Sequence, residues 1–497
     1  INRGNKKRPS VKKNPKDTTQ VKKPKVTLTP RDIMNHSVRA IMMLRNLSVN
    51  YSENNGTFLP GFMGESQALG MDVNKLFAPG YKFVLGSQED ILTHGIENKW
   101  FNESPNLITK VPQVSKTNRQ NLNARATIEP WKRFKINLSG TRSLTTNDNY
   151  FYQIDSTLSS KYRKDTRVKT QEFSISTNTF KTSFSKTKTN QGSSAYKQML
   201  NNRYIIANRL AQKNANWTGQ TNPTTSFPEG YSAQHHEVLL YSFLSAYRGQ
   251  RPEKIKINSS QTPGSTEGFF PSIPIPDWRF NYNGLKKLPI VRRYFRSISI
   301  AHAYKSTLSI NGVQNNINFD GSGDTTEFGD FETNIDFYKV AVFIKESFNP
   351  LVKVDMKFHN SILAKMEVKK SRTVELEVST PQVIESHTWD FIIGGGYTIK
   401  DLVIPNVEIK GRRLKSDLNL RLDVSVKSTR MIMLTIDGNP SPPNGGLITA
   451  IKISGDYKVS EKVTARAFYD QTINNPYIST SFPTSTSKGG VSIRFTL

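Results

Sequence analysis

The chain has 497 residues, with 69 Lys and Arg against 40 Asp and Glu, for a formal net charge of +29. Hydrophobic residues are 35% and aromatics 10%, leaner in apolar content than an ordinary globular domain but too aromatic for disorder throughout. No run of about 18 apolar residues occurs, which excludes a transmembrane helix; the lack of Cys excludes a disulfide scaffold, thiolate zinc sites and a Cys nucleophile.

The opening stretch is basic and punctuated by prolines such as Pro9 and Pro24. Residues 1–36 are expected to be a basic, Pro-containing linker or loop, because no aromatics are interleaved for base stacking. No apolar signal-peptide core follows Ile1, and the chain reads as the later part of something longer.

From residue 37 the pattern acquires a period of two. Leu47-Ser48-Val49-Asn50-Tyr51, Leu122 to Ile128 and Phe134 to Ser139 each alternate apolar and polar residues. Alternation of this kind places one set of residues on each face of a strand. Residues 37–189 are therefore assigned to barrel strands and loops. Residues 190–290 differ: helical spacing over 194–214 and 233–247, then the Pro-rich Pro271-Ser272-Ile273-Pro274-Ile275-Pro276, indicate a helix-containing insertion. Residues 291–497 return to strands, most clearly at Leu418-Asn419-Leu420-Arg421-Leu422-Asp423-Val424. The links alternate between short (Ser460-Glu461-Lys462) and long (Asp437 to Gly446, Thr472 to Gly490), as in outer-membrane barrels.

The polar face decides between a soluble sandwich and a membrane barrel. It carries Arg, Lys, Asp, Glu, Asn and Ser with little relief, and the chain supplies no second apolar layer beyond its short helices. Lipid supplies that layer if the strands close into a ring that pairs every backbone group, and a wide wet lumen then accounts for the hydrophilic row. The fold expected is all-β: part of a very large antiparallel transmembrane β-barrel with a helical insertion. The alternation Val491, Ile493, Phe495, Leu497 at the C-terminus is the terminal strand signature of such barrels. Leu418, Leu420, Leu422 and Val424 are expected to face lipid, with Arg421 and Asp423 facing the lumen. Trp131, Trp389, Tyr397, Phe468 and Tyr469, at or near strand ends, are expected to form a girdle at the lipid–water boundary.

Several segments resemble the SprA/Sov family of outer-membrane translocons. These are Tyr51 to Phe62, including Leu59-Pro60-Gly61-Phe62; Glu237 to Tyr247; the stretch Pro276, Trp278 and Arg279 through Leu285; Glu346 to Leu351; and Lys370 to Thr373. The likeness runs from about residue 37 to the end. It implies the C-terminal portion of the type IX secretion pore of Bacteroidetes, which passes folded cargo bearing a type IX C-terminal domain across the outer membrane and opens laterally. It also implies as partners the remainder of the same polypeptide, a PorV-type outer-membrane barrel, a periplasmic plug protein and the surrounding lipid or lipopolysaccharide. No nucleic acid, cofactor, metal or catalytic residue is expected.

Chemical motifs are few. His235-His236 lie side by side and diverge on a helix, which points to a surface or cap pair rather than metal ligands at i, i+4. Ser194-Ala195-Tyr196-Lys197 matches an acylating signature without its companion motifs. Gly394-Gly395-Gly396 fits a strand approached closely by another group. The alternatives are a TonB-dependent transporter-like barrel and a basic soluble nucleic-acid-binding protein, the latter motivated only by the charge.

Overall fold

The computed structural model describes residues 42–65, 67, 69–101, 113–154, 162–188, 192–257, 271–327, 329–409, 412–460, 462–478 and 481–495. The 1–36 linker and Leu497 lie outside the described residues.

The strands are β1 (Leu44–Phe58), β2 (Gln113–Trp131), β3 (Phe134–Ile154), β4 (Tyr162–Ser176), β5 (Thr187–Lys188), β6 (Gly192–Ser193), β7 (Asp277–Tyr282), β8 (Phe295–Asn315), β9 (Ile335–Asp336), β10 (Ala341–Phe358), β11 (Ile362–Glu377), β12 (Gln382–Ile409), β13 (Arg412–Thr435), β14 (Asn444–Lys458), β15 (Val463–Pro476) and β16 (Thr484–Phe495). All but β5 and β6 belong to one 14-stranded sheet, ordered β1-β2-β3-β4-β8-β10-β11-β12-β13-β14-β15-β16, with β7 and β9 off that path. Every pairing in it is antiparallel. β1 and β16 are the outer strands and do not pair with each other among the described residues.

Strand length follows from two jobs. β13 has 24 residues, whereas roughly 9–11 suffice to cross a membrane. At about 3.3 Å per residue it is about 80 Å long, so well over half of it stands outside any bilayer. Short links (residues 132–133, 359–361, 459–462) gather at one end of the sheet. The long connections 59–112, 316–340 and 436–443 lie at the other, together with the four-residue turn 378–381, while 177–276 leaves and rejoins the sheet partway along its strands.

The helical region holds α1 (Ser194–Ala211) and α2 (His236–Tyr247). Ser193 caps α1, its hydroxyl accepting from Tyr196 N, and His235 caps α2, its ring accepting from Glu237 N. Every residue of α2 from Glu237 to Tyr247 is buried. Its core includes Met199, Ile206 and Leu210 of α1, and Phe173, Leu308, Ile310, Val342, Ile344, Val374, Leu376, Val383, Ile432 and Leu434 from six strands. The helices thus pack directly on the sheet.

The insertion is placed differently from the 190–290 read from sequence. β4 leaves the sheet at Ser176, and β7 re-enters it at Asp277, between β3 and β8. Residues 277–282 belong to the wall, because Trp278, Phe280 and Tyr282 continue the alternation between the ladders of β3 and β8, and 283–294 link this strand to β8. The Pro-rich run just before them hides that short strand.

Candidate functional site: a two-faced wall and its pinned insertion

Residues paired directly across antiparallel strands share a face. Following the register from strand to strand gives one unbroken apolar row. It runs through Leu47 and Val49 (β1), Ala124 and Ala126 (β2), Ile136 and Leu138 (β3), then Trp278 and Phe280 (β7) and Ile300 (β8). It continues through Val354 and Met356 (β10), Met366 and Val368 (β11), Phe391 and Ile393 (β12) and Leu420, Leu422 and Val424 (β13). Ile451 and Ile453 (β14), Ala467 and Tyr469 (β15) and Val491, Ile493 and Phe495 (β16) complete it. Large apolar side chains along this row stand exposed, Leu422 at 46% and Val491 at 77%.

The other face carries Asn123, Arg125, Asn137, Lys353, Asp355, Lys365, Glu367, Arg421, Asp423, Lys452 and Arg466 by the same registers. Its charges pair along strands, as in Lys353–Asp355 at 2.9 Å and Lys365–Glu367 at 3.2 Å, and across them, as in Arg466–Asp456 at 3.7 Å. These pairs are partly exposed, Glu367 being buried, and charges so densely paired on one face mark it as the polar side of the wall. The expected split of Leu418, Leu420, Leu422 and Val424 from Arg421 and Asp423 is present in the register. On β13 the apolar run Leu418–Val426 spans nine residues, the length of a bilayer crossing at a strand's tilt.

Beyond that band the apolar-side row turns polar before the helices cover it. Trp278 pairs with Tyr304, Phe348 with Lys370, Lys370 with Trp389, and Trp389 with Ser428. Two buried carboxylates above this belt clasp the insertion to the wall. Glu346 accepts from Thr179 Oγ1 (2.5 Å), Ser183 Oγ (2.7 Å) and Tyr304 OH (3.0 Å), and its other oxygen faces Arg372 at 3.2 Å. Arg372 in turn donates to Thr182 O (2.9 Å) and Thr182 Oγ1 (3.0 Å). Glu385 accepts from Ser193 N (3.1 Å), Ser193 Oγ (2.5 Å) and Tyr247 OH (2.6 Å), tying the start of α1 and the end of α2 to β12. Toward the long-connection end, Arg203 makes a bidentate pair with Asp437 at 2.7 and 2.8 Å, which holds the Asp437 carboxyl below its usual pKa.

The strand break is sealed by side chains. Asp277 accepts from Ser306 N (2.9 Å) and from Ser176 Oγ (3.3 Å), and Thr141 N donates to Ser176 Oγ (3.1 Å). Backbone donors left over where β4 gives way to β7 thus find partners, as buried backbone groups must.

Of the residues singled out from sequence, Pro276, Trp278 and Arg279 meet at this break. Trp278 stacks on Tyr304 at 4.4 Å, and Arg279 donates to Asn349 O at 3.3 Å. Leu59, Pro60, Gly61 and Phe62 lie elsewhere, in a small cluster beyond the end of β1. Leu59 packs on Leu92, Phe101, Val114, Tyr150 and Tyr152, Pro60 O accepts from Tyr152 OH (2.9 Å), and Phe62 meets Trp100 edge-on at 5.8 Å. Gly61 has φ +75°, and a Cβ there would lie 2.6 Å from the Tyr152 hydroxyl. Val491, Ile493 and Phe495 share the apolar face.

Phe468 departs from the expected girdle: it pairs with Ser454 and Gly490 on the hydrated face, because parity along β15 puts it opposite Tyr469. His235 is a cap, as expected, but a buried one. Its Nε2 lies 3.2 Å from Phe331 O, and burial pushes its pKa down to about 4. Gly394 sits under Asp423, whose carboxylate would lie 2.3 Å from any Cβ, so the close approach read from the glycine run is real. Among the described residues no group of three or more His, Asp or Glu could hold a metal ion. No sequence pattern signals the clasp, since Glu346, Arg372 and Glu385 look like lumen residues by polarity alone.

These features define a class: an antiparallel wall of the outer-membrane barrel type, carrying a helical insertion on its apolar side. No family model and no curated protein matches the chain. Similar solved structures include these two. One, a structure of the RagAB peptide transporter, is 9% identical over 73% of this chain with a TM-score of 0.25, and this chain spans 37% of its length. The other, the outer-membrane protein OmpT of Vibrio cholerae in its trimer form, is 9% identical over 91% of this chain and 99% of that one, with a TM-score of 0.19. At such scores the class rests on this chain's own sheet.

Proposed function

We propose that the chain is the C-terminal part of the outer-membrane translocon of the type IX secretion system, passing folded cargo through a wide barrel with a lateral opening. The observation that carries the pore reading is the long two-faced sheet with β1 and β16, among the described residues, unpaired to each other. An arc with lipid on one side cannot leave backbone edges open in a membrane, so further strands of the same polypeptide continue it on both sides. The breadth of the hydrated face supports a water-filled conduit, and the resemblance to the SprA/Sov family supplies the cargo, the PorV-type barrel and the plug. Transport in this reading involves no bond chemistry. By the habit of outer-membrane barrels, the short links lie on the periplasmic side and the insertion on the cell surface.

Depletion of the complete protein in its host tests the reading. Cargo with type IX C-terminal domains should disappear from the medium and accumulate folded in the periplasm. Unchanged cargo export with loss of uptake of a nutrient would instead favour a TonB-dependent transporter. Release of the protein by salt without detergent would remove both membrane readings.

A further inference from the structure

The two chain segments that flank the strand break run over the apolar side of the wall, next to its lipid-facing row. The outgoing segment makes a tight turn at Phe180–Thr182 and continues through Phe184. It is fastened down: Arg372 holds the Thr182 carbonyl, the Lys370 ammonium donates to Ser183 O, and Gly249 leaves room for Lys181. The returning segment crosses β3, where Arg142 Nε donates to Pro271 O (3.2 Å) and Pro274 rests 3.4 Å from where a Gly140 side chain would be.

With the backbone so fixed, the apolar side chains of both segments nevertheless point outward. Phe180 is 45% exposed, Phe184 51% and Ile273 82%. They do not stand apart from the band below. Phe180 contacts Trp278 (6.0 Å), Tyr304 (5.7 Å) and Phe348 (5.9 Å), and Phe184 contacts Phe348 (5.4 Å). Lys370 Nζ lies 3.8 Å over the Phe184 ring and 4.9 Å over Trp389, while Lys181 and Lys186 are exposed beside the two phenylalanines.

We infer that this underside of the insertion is a membrane-inserted foot: Phe180, Phe184 and Ile273 enter the boundary of the adjacent lipid leaflet, and Lys181 and Lys186 meet its phosphate headgroups. The inference rests on the lipid-facing assignment of the apolar row, with which the foot is continuous. Aromatic and aliphatic side chains flanked by Lys are the composition that settles at such a boundary. The wall's aromatic girdle is thereby carried sideways off the strands, and the insertion is held at the membrane surface as well as by its clasp.

This sequence has no Cys, so once any Cys elsewhere in the complete protein is replaced by Ser, each introduced Cys is a single labelling site. Nitroxides are placed one at a time at Phe184→Cys, Ile273→Cys, Leu422→Cys in the lipid band, and Tyr338→Cys, an exposed ring (75% exposed) in the connection between β9 and β10. The complete protein is reconstituted in vesicles of phosphatidylethanolamine and phosphatidylglycerol, and collisions with oxygen and with a water-soluble nickel chelate are measured. Nickel collisions at 184 and 273 should fall about five-fold below those at 338 and lie near those at 422, with oxygen collisions retained. Nickel access at 184 and 273 equal to that at 338, with 422 protected, overturns the foot and leaves the wall intact. Shielding of 184 and 273 from both reagents means that protein covers them and also overturns it. Nickel access at 422 overturns the wall assignment itself. Phe184→Trp in vesicles of brominated lipid provides an independent readout if a Cys variant fails to assemble: quenching beyond that of the unchanged protein, whose Trp278 and Trp389 lie on the same side, is expected, and its absence counts against the foot.

Discussion

Leu422 lies at the centre of the apolar run on β13, between Gly395 of β12 and Ile453 of β14. Replacing it with Arg puts a cation four residues from either end of that run, about 13 Å along the strand. At the usual tilt this leaves the guanidinium too deep for its stem to reach the interface. Arg at the midplane of a barrel's lipid face costs about 2–4 kcal/mol, a factor of roughly 30 to 700 in the folded-to-unfolded ratio. The reverse change next door, Arg421→Leu, falls between Gly396 and Ser454 on the hydrated face and should shift stability by less than about 0.5 kcal/mol. The assay is the guanidinium midpoint of the complete protein in lipid vesicles, followed by tryptophan fluorescence. A silent Leu422→Arg together with a costly Arg421→Leu would refute the assignment of faces.

Three further outcomes follow from the insertion and its surroundings. Glu346→Gln and Arg372→Met, made singly, each strand a buried charge and should destabilise the insertion by about 3–5 kcal/mol, whereas the double variant should lose much less; protease sensitivity of the 177–276 segment reads the difference. His235 is favoured neutral in the fold, so its contribution is complete above about pH 6.5 and is lost as pH falls toward about 4, by up to about 3 kcal/mol. His236, also lowered by burial, acts with the same sign, while Asp330 opposes both; hydrogen exchange of α2 should rise over that window, less so in His235→Asn, which keeps a capping oxygen. Gly61→Ala should push the Tyr152 hydroxyl off Pro60 O and strain a left-handed residue, lowering the stability of the Leu59–Trp100 cluster by about 1–3 kcal/mol in exchange measurements.

The wall was legible because a strand's period of two survives in any sequence with one greasy side, as at Leu418 to Val424. The strand break was not. β7 is six residues long and follows a proline run, so its alternation at Trp278, Phe280 and Tyr282 was absorbed into the insertion. Polarity also stops reporting the face once a strand leaves lipid. Glu346, Arg372 and Glu385 share their face with Val342, Val374 and Val383, and only the insertion packed over them explains their charge. Phe468 shows the converse, an aromatic on the hydrated face that a strand-end rule assigns to the girdle. The clasp joins residues separated by 167 positions for Thr179 and Glu346 and 192 for Ser193 and Glu385, distances at which spacing carries no signal.

A density map of the complete protein in lipid nanodiscs, obtained by electron microscopy, tests the central claim most directly. The lipid belt should encircle the sheet at Leu418–Val426 on β13 and at the matching residues of its neighbours, with additional strands hydrogen-bonded to the outer edges of β1 and β16. A map in which those apolar side chains meet one another inside a lipid-free particle, or in which lipid touches Arg421 and Asp423 instead, would contradict it.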